Sequence, residues 1–380
     1  MIYNESLTKF FCLISLIKMT NQLFQPKSLV LQWHITERCN WRCKHCYQTS
    51  YTTPEMDLKM MENILAQYVG LLKKWNIPRR HARIQITGGE PFVRRDIFQF
   101  LEKVYKLSDH FQWTLLSNGS FLTEDKVKLL KLFGIQSYQV SMEGLEKTND
   151  EIRGEGSFKK ILKAIELLVW AKIPSRVSLT LTRKNLPEIK GLADLLAPLG
   201  VRGLGVRRIV PWGSGAAMKE YVLEPQELRG LYREIEEINR TMIANGHSLK
   251  VTGGCENGIF NDEISGEGLM SHGVCGVTYG RILIVLPNGD TLACRRLPII
   301  LGNLHEKSME EIYYSPLYES WRQKEDVPSV CQACPSYQHC FGGAKCVTYG
   351  MTGKTAPDVQ CWKLFNSLEE AAHRIKNESR

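Results

Sequence analysis

LVLQWHITERCNWRCKHCYQ, residues 29–48, begins as a strand and ends as a metal-ligand loop. Leu29, Leu31, Trp33 and Ile35 recur at period two, the alternation of a strand with one face buried. The strand runs straight into Cys39, Cys43 and Cys46, spaced C-x3-C-x2-C, and no fourth cysteine follows in the loop. A tetrahedral zinc site and a cubane iron–sulfur cluster each offer four metal valences to thiolates. Three cysteines therefore read in one of two ways. Either zinc borrows a fourth ligand from His45 or a distant side chain, or a four-iron cube keeps one iron open to a small molecule.

Outward from this segment, strands alternate with helices. Leu58, Met61, Leu65, Tyr68 and Leu72 recur at spacings of three and four, which predicts a helix. RIQIT (83–87) is a second strand ending on Gly88-Gly89, and WTLLSNG (113–119) a third. A helix then opens on Thr123 as N-cap, with Glu124 and Asp125 in its first turn and Gly134 at its end. YQVSM (138–142) is a fourth strand, followed by a helix capped by Ser157. VSLTLT (177–182) and LGVRRIV (204–210) are the fifth and sixth. Strand-then-helix repeats require parallel strands and right-handed crossovers, hence a doubly wound sheet or a complete or partial barrel. In either, chemistry gathers at the C-terminal strand ends. That is where the cysteine loop, GGEP, SNG, Ser141 and Glu143 fall.

Beyond residue 250 the pattern changes. RILIVLPNGDTLAC (281–294) is a hairpin about Pro287-Asn288-Gly289-Asp290, and CQACPSYQHCFGGAKC (331–346) is loop without periodicity. The domains expected are an extension over 1–28 (1–18 lying upstream of a start at Met19), a barrel over 29–235, a cysteine-rich domain over 236–362 and a helical tail over 363–380.

The chain has 380 residues, is 43% hydrophobic and 23% charged, and carries a net charge of +9 with its basic residues scattered, not in runs. This is globular composition with no nucleic-acid tail and a slight bias toward acidic ligands. Twelve cysteines clustered at short spacings in so long a chain favour metal chemistry in a reducing, cytoplasmic setting over a disulfide scaffold. The apolar run 10–17 is too short for a bilayer span and lacks a cleavage site, so neither membrane anchor nor signal peptide is expected.

C-x3-C-x2-C with Trp41 and Tyr47 beside the cysteines, then GGEP, SNG and SMEG, resembles the radical S-adenosylmethionine enzymes over residues 29–235. The resemblance implies an α/β fold, a partial (β/α)6 TIM-like barrel with a C-terminal cysteine-rich auxiliary-cluster domain. It implies that Cys39, Cys43 and Cys46 hold a [4Fe-4S] cluster whose open iron binds S-adenosylmethionine. Gly88 and Gly89 would let backbone approach the cofactor's ammonium, with Glu90 or neighbouring carbonyls accepting its hydrogen bonds. Ser141 and Glu143 would face the ribose, Arg153 the cofactor carboxylate, and Asn118 with Ser117 would shape the pocket. One electron from a low-potential donor, flavodoxin or ferredoxin, would then split the sulfonium and release a 5′-deoxyadenosyl radical for hydrogen abstraction.

The C-terminal pattern resembles the SPASM type of auxiliary-cluster domain. Its ligands would be Cys275, Cys294 and Cys346 with Cys255 for one cluster, and Cys331, Cys334, Cys340 and Cys361 for a second. Cys346 departs from the family spacing, five residues rather than three after Cys340. The reading that follows is an oxidoreductase that matures a ribosomal peptide or protein. Arg295 stands where sulfatase-maturing members carry an acid. The 38 residues before Cys39 are too few for a leader-binding domain, so a peptide substrate would need a separate leader-binding protein or direct recognition. Two alternatives are a radical enzyme acting on a small molecule such as a tetrapyrrole side chain, for which Arg207-Arg208 would suit carboxylates, and a non-catalytic zinc or iron–sulfur module.

Overall fold

The first strand, β1 (Leu29–His34), buries Leu29, Leu31 and Trp33 completely and leaves Val30 and Gln32 partly open. One face thus meets helices and the other lines an interior. The computed structural model describes residues 24–253 and 275–377. Cys12, Cys255 and the extension over 1–18 lie outside the described residues.

Five more parallel strands follow in order: β2 (Ala82–Thr87), β3 (Gln112–Ser117), β4 (Ser137–Ser141), β5 (Ser175–Leu181) and β6 (Gly203–Arg208). Each pairs with its predecessor, as right-handed β–α–β crossovers require. Helix α1 (Leu58–Lys74) shows how the crossovers are built. Asp57 caps it by accepting the Met60 N–H at 2.8 Å, and Lys73 and Lys74 face the negative end of its dipole. Its apolar stripe buries Met61, Leu65, Tyr68 and Leu72, and the Tyr68 hydroxyl donates to the Leu29 carbonyl at 2.8 Å. Trp33 meets Phe100 of α2 (Ile97–Lys106) edge-on at 5.0 Å. Each such buried aromatic or aliphatic side chain contributes about 1.5–3 kcal/mol.

Three details differ from the sequence expectations. Ser157 is not a cap: α5 (Ser157–Trp170) starts on it after Gly156, which has φ +71°. The capping acceptor is Asp150 of the preceding α4 (Glu146–Arg153), which takes the N–H groups of Gly156 and Phe158 at 2.8 and 2.7 Å. The expected boundary at 235/236 falls inside α7 (Pro225–Ala244), a continuous helix, and β7 (Lys250–Thr252) then joins β6 in parallel. The barrel unit therefore runs past residue 250, because breaking α7 would strand its buried face. The third difference is larger. The hairpin of β8 (Ile282–Val285) and β9 (Asp290–Cys294) forms as expected, but β8 also pairs in parallel with β1. With β10 (Leu297–Asn303) it extends the same sheet, in the order β10-β9-β8-β1-β2-β3-β4-β5-β6-β7.

Of the later cysteines, Cys331, Cys340 and Cys346 lie on the short helices α10 (Ser329–Gln332), α11 (Tyr337–Cys340) and α12 (Lys345–Thr352), Cys334 and Cys361 lie between elements, and the tail forms α13 (Leu368–Asn377). No helix of the described residues is long and apolar enough to cross a membrane.

Candidate active site

The loop after β1 is stitched in place from three sides. Along β2 the Gly89 N–H donates to the Thr36 carbonyl at 2.8 Å and the Glu90 N–H to the Arg38 carbonyl at 2.9 Å. Arg38 forks onto Glu55 at 2.8 and 2.9 Å, and Arg94 donates to the carbonyls of Ile35 and Met56 at 3.0 and 2.8 Å. From the segment after β6, the Gly215 N–H donates to the Cys46 carbonyl at 3.0 Å. From α4, the Ile152 carbonyl accepts the Lys44 N–H at 2.9 Å.

Glycine is required at these crossings. A Cβ on Gly88 would lie 2.4 Å from the Thr36 carbonyl oxygen, and one on Gly89 2.4 Å from that of Arg38. At Gly213, φ +59°, it would lie 2.6 Å from the Tyr47 and Gln48 backbone. Sequence reading assigned Gly88 and Gly89 to the cofactor; the structure adds that they admit the cysteine loop. It missed Gly213 and Gly215 altogether, although the short WGSG run after a strand was a visible signal.

So held, Cys39, Cys43 and Cys46 line a cavity of about 430 Å³ at the C-terminal ends of the strands. Gly88, Gly89, Asn118, Ser141, Glu143 and Arg153 line it as well. Glu90 does not. Its carboxylate is fully buried and taken up by the Ser117 hydroxyl (2.8 Å), the Asn118 N–H (2.8 Å) and the Phe92 N–H (3.2 Å), so it ties the end of β2 to that of β3. Glu90 thus holds β2 and β3 together and stands outside the cavity lining, unlike the cofactor contact expected of it. The Asn118 amide also faces the loop, donating to Asn40 at 2.9 Å.

Glu143 and Arg153 form a buried pair at 2.5 Å, with the Arg153 Nη1 3.8 Å from the Cys43 sulfur. The second Glu143 oxygen accepts the Thr180 N–H at 2.5 Å, and His45 Nε2 stands 3.4 Å from the first. Burial pulls the His45 imidazole down to about 4, and pushes the Cys39 thiol up to about 11. Burial also raises the Cys43 thiol, against the pull of Arg153.

The C-terminal cysteines divide between two places. Cys275, just before β8, and Cys294, at the end of β9, also line the main cavity, from the part of the sheet next to β1. Cys331, Cys334, Cys340 and Cys361 line a second, smaller cavity beside Asp358. Burial, then Asp358, raises Cys340 and Cys361 to about 12. Cys346 is buried on α12 and lines neither of these two cavities. Among the described residues no three His, Cys, Asp or Glu side chains converge as a single metal ion requires.

Known proteins agree with this architecture. The model of the radical SAM superfamily matches residues 33–196, and that of SPASM, an iron-sulfur cluster-binding domain, matches residues 275–335. The chain is 26% identical to the AdoMet-dependent heme synthase of Methanosarcina barkeri, over 89% of this chain and 95% of that one. It is 25% identical to the mycofactocin maturase MftC of Mycolicibacterium smegmatis, over 92% and 86%. Streptococcus suis SuiB bound to its precursor peptide SuiA superposes with a TM-score of 0.71 at 19% identity, over 94% of this chain and 81% of that one.

Proposed function

We infer that this chain, which carries a radical SAM superfamily domain followed by a SPASM-type iron–sulfur domain, matures a ribosomally made peptide or protein. The observation that carries this reading is the meeting in one cavity of Cys39, Cys43 and Cys46 with Gly88, Ser141 and Arg153. The three thiols would hold the [4Fe-4S] cluster, and Cys331, Cys334, Cys340 and Cys361 a second cluster. Bound there with S-adenosylmethionine, the cluster supplies reductive cleavage to a 5′-deoxyadenosyl radical that abstracts hydrogen from substrate. The chain's own residues do the rest. Arg153 sets a buried positive charge beside Cys43, Glu143 holds that arginine and the Thr180 N–H in register, and Gly88 lets the cysteine loop close against the end of β2. A low-potential flavodoxin or ferredoxin would be the electron partner. The maturase named among the relatives and the peptide-bound SuiB fold support a peptide substrate.

A second reading, action on a carboxylate-bearing small molecule such as a tetrapyrrole, is favoured by the relatives named heme synthases and by one feature of the site. Five arginines and a single glutamate line the cavity. Anaerobic reconstitution with iron and sulfide, followed by reduction with S-adenosylmethionine, tests the chemistry common to both. 5′-Deoxyadenosine is expected from the wild type and none from Cys43→Ala; equal release from the two would refute the assignment. Supplying a candidate precursor peptide or a porphyrin then separates the readings by which one gains or loses hydrogen.

A further inference from the structure

Four of the five arginines lining the cavity already have partners. Arg153 pairs with Glu143 at 2.5 Å, Arg208 with Asp358 at 2.8 Å and Arg295 with Glu37 at 3.0 Å, while Arg296 donates to the Arg208 carbonyl at 3.3 Å. Arg207 makes no hydrogen bond, ion pair or ring contact among the described residues, yet it lines the cavity from β6. It sits across from Thr180 in the β5–β6 register, next to the Glu143 network, and that carboxylate is already saturated by Arg153 and the Thr180 N–H. On the same face, one step down the strand, is Gly205. A Cβ there would stand 3.8 Å from the Arg207 Nε, so the glycine leaves space around the guanidinium. The cavity wall also carries the neutral side chains of Gln32, Gln85, Gln139 and Ser178.

A guanidinium held part-buried with no counter-charge is costly unless a ligand supplies one, and its fork suits a planar oxyanion. We propose that Arg207 anchors a carboxylate of the substrate, so that the molecule acted on is an acid: a peptide presenting Asp, Glu or its C-terminus, or a small molecule bearing carboxylates. This rests on the cavity being the substrate site and narrows both readings given above to acidic substrates. Its fork offers two donors in a fixed plane, which would orient the carboxylate it holds.

The test is equilibrium dialysis of the cluster-reconstituted full chain, without oxygen, against two pairs of probes. One pair is an end-blocked tetraglutamate peptide and its glutamine counterpart. The other is a porphyrin tetrapropionate and its methyl ester. In the wild type at least one acid should bind more tightly than its neutral partner, and which one does so tells the source of the carboxylate. Arg207→Gln should weaken that acid about ten- to a hundred-fold, the worth of a lost charged hydrogen bond. Arg207→Lys, which keeps the charge and protects the fold, should fall between. The exposed Arg202→Gln controls for overall charge and should bind as the wild type does. Equal binding of acid and neutral probes, or an unaffected Arg207→Gln, would overturn the proposal. So would competitive displacement of the acid by S-adenosylmethionine, which would give Arg207 to the cofactor. Wild-type 5′-deoxyadenosine release is scored separately. Its absence would refute the radical reading with the carboxylate affinity intact, and its presence with a carboxylate affinity that does not depend on Arg207 would refute only the anchor.

Discussion

His34 is the last residue of β1, buried, with no hydrogen-bond partner at Nε2. Burial, helped by the charge of Arg295, holds its imidazole well below the ordinary value of 6.5. In the unfolded chain it titrates normally. Below pH 6.5 the unfolded state therefore takes up a proton that the folded state refuses, and stability falls as the pH drops from 6.5 toward the depressed folded value. One such group steepens the dependence by at most about 1.4 kcal/mol per pH unit. Urea titrations between pH 5 and 7 should give a shallower slope for His34→Leu than for the wild type; parallel slopes would show that this histidine is accessible to protons. None of this was visible in the sequence, where His34 is simply one letter of an alternating strand. A buried imidazole with Nε2 unpartnered is a consequence of packing, set by what the tertiary fold brings against the interior face of β1.

At the scale of elements, the cysteine loop exists in its observed shape because other backbones lie against it without side chains. Gly89→Ala would press a Cβ into the Arg38 carbonyl, a backbone atom that cannot rotate away. Displacement of about 1 Å at a reacting centre costs roughly a hundred-fold in rate. 5′-Deoxyadenosine release by Gly89→Ala should fall by about that factor while far-ultraviolet circular dichroism stays unchanged; full activity would mean that the loop tolerates the shift. The six barrel strands and their helices were legible because each carries its own period. β1 alternates, α1 repeats at three and four, and Thr123 does cap α3 (Glu124–Leu132), accepting the Lys126 N–H at 3.4 Å. The clustering of GGEP, SNG, Ser141 and Glu143 at one end was legible for the same reason, since parallel strands must share a direction. What could not be read was partnership across the chain: Glu90 facing Ser117 instead of the cavity, Asp150 capping a helix it does not belong to, and WGSG crossing the cysteine loop. Such pairings depend on which elements become neighbours, which no local period encodes.

In the whole molecule, the cysteine-rich part is bound to the barrel by more than a linker. β8 continues the sheet beside β1, and the fully buried Asp358 pairs with Arg208 of β6 at 2.8 Å while accepting the Ala344 N–H at 2.8 Å. The Gln360 amide donates to the Leu223 carbonyl at 2.8 Å. Removing one partner of a buried pair leaves the other charge uncompensated and costs about 3–5 kcal/mol. Asp358→Ala should therefore lower the urea midpoint of both parts together, in one transition followed alike by circular dichroism and by cluster absorbance. Two separated transitions, with only the cluster signal moved, would show that the parts unfold independently. The pairing of Val30 with Ile282 also orders events during synthesis. Until the ribosome has made that distant strand, the innermost strand of the nascent barrel keeps one bare edge of unpaired amides and carbonyls, an aggregation hazard. Since the cysteine loop hangs from that same strand, its final shape, and with it the uptake of metal, comes late in the life of the chain.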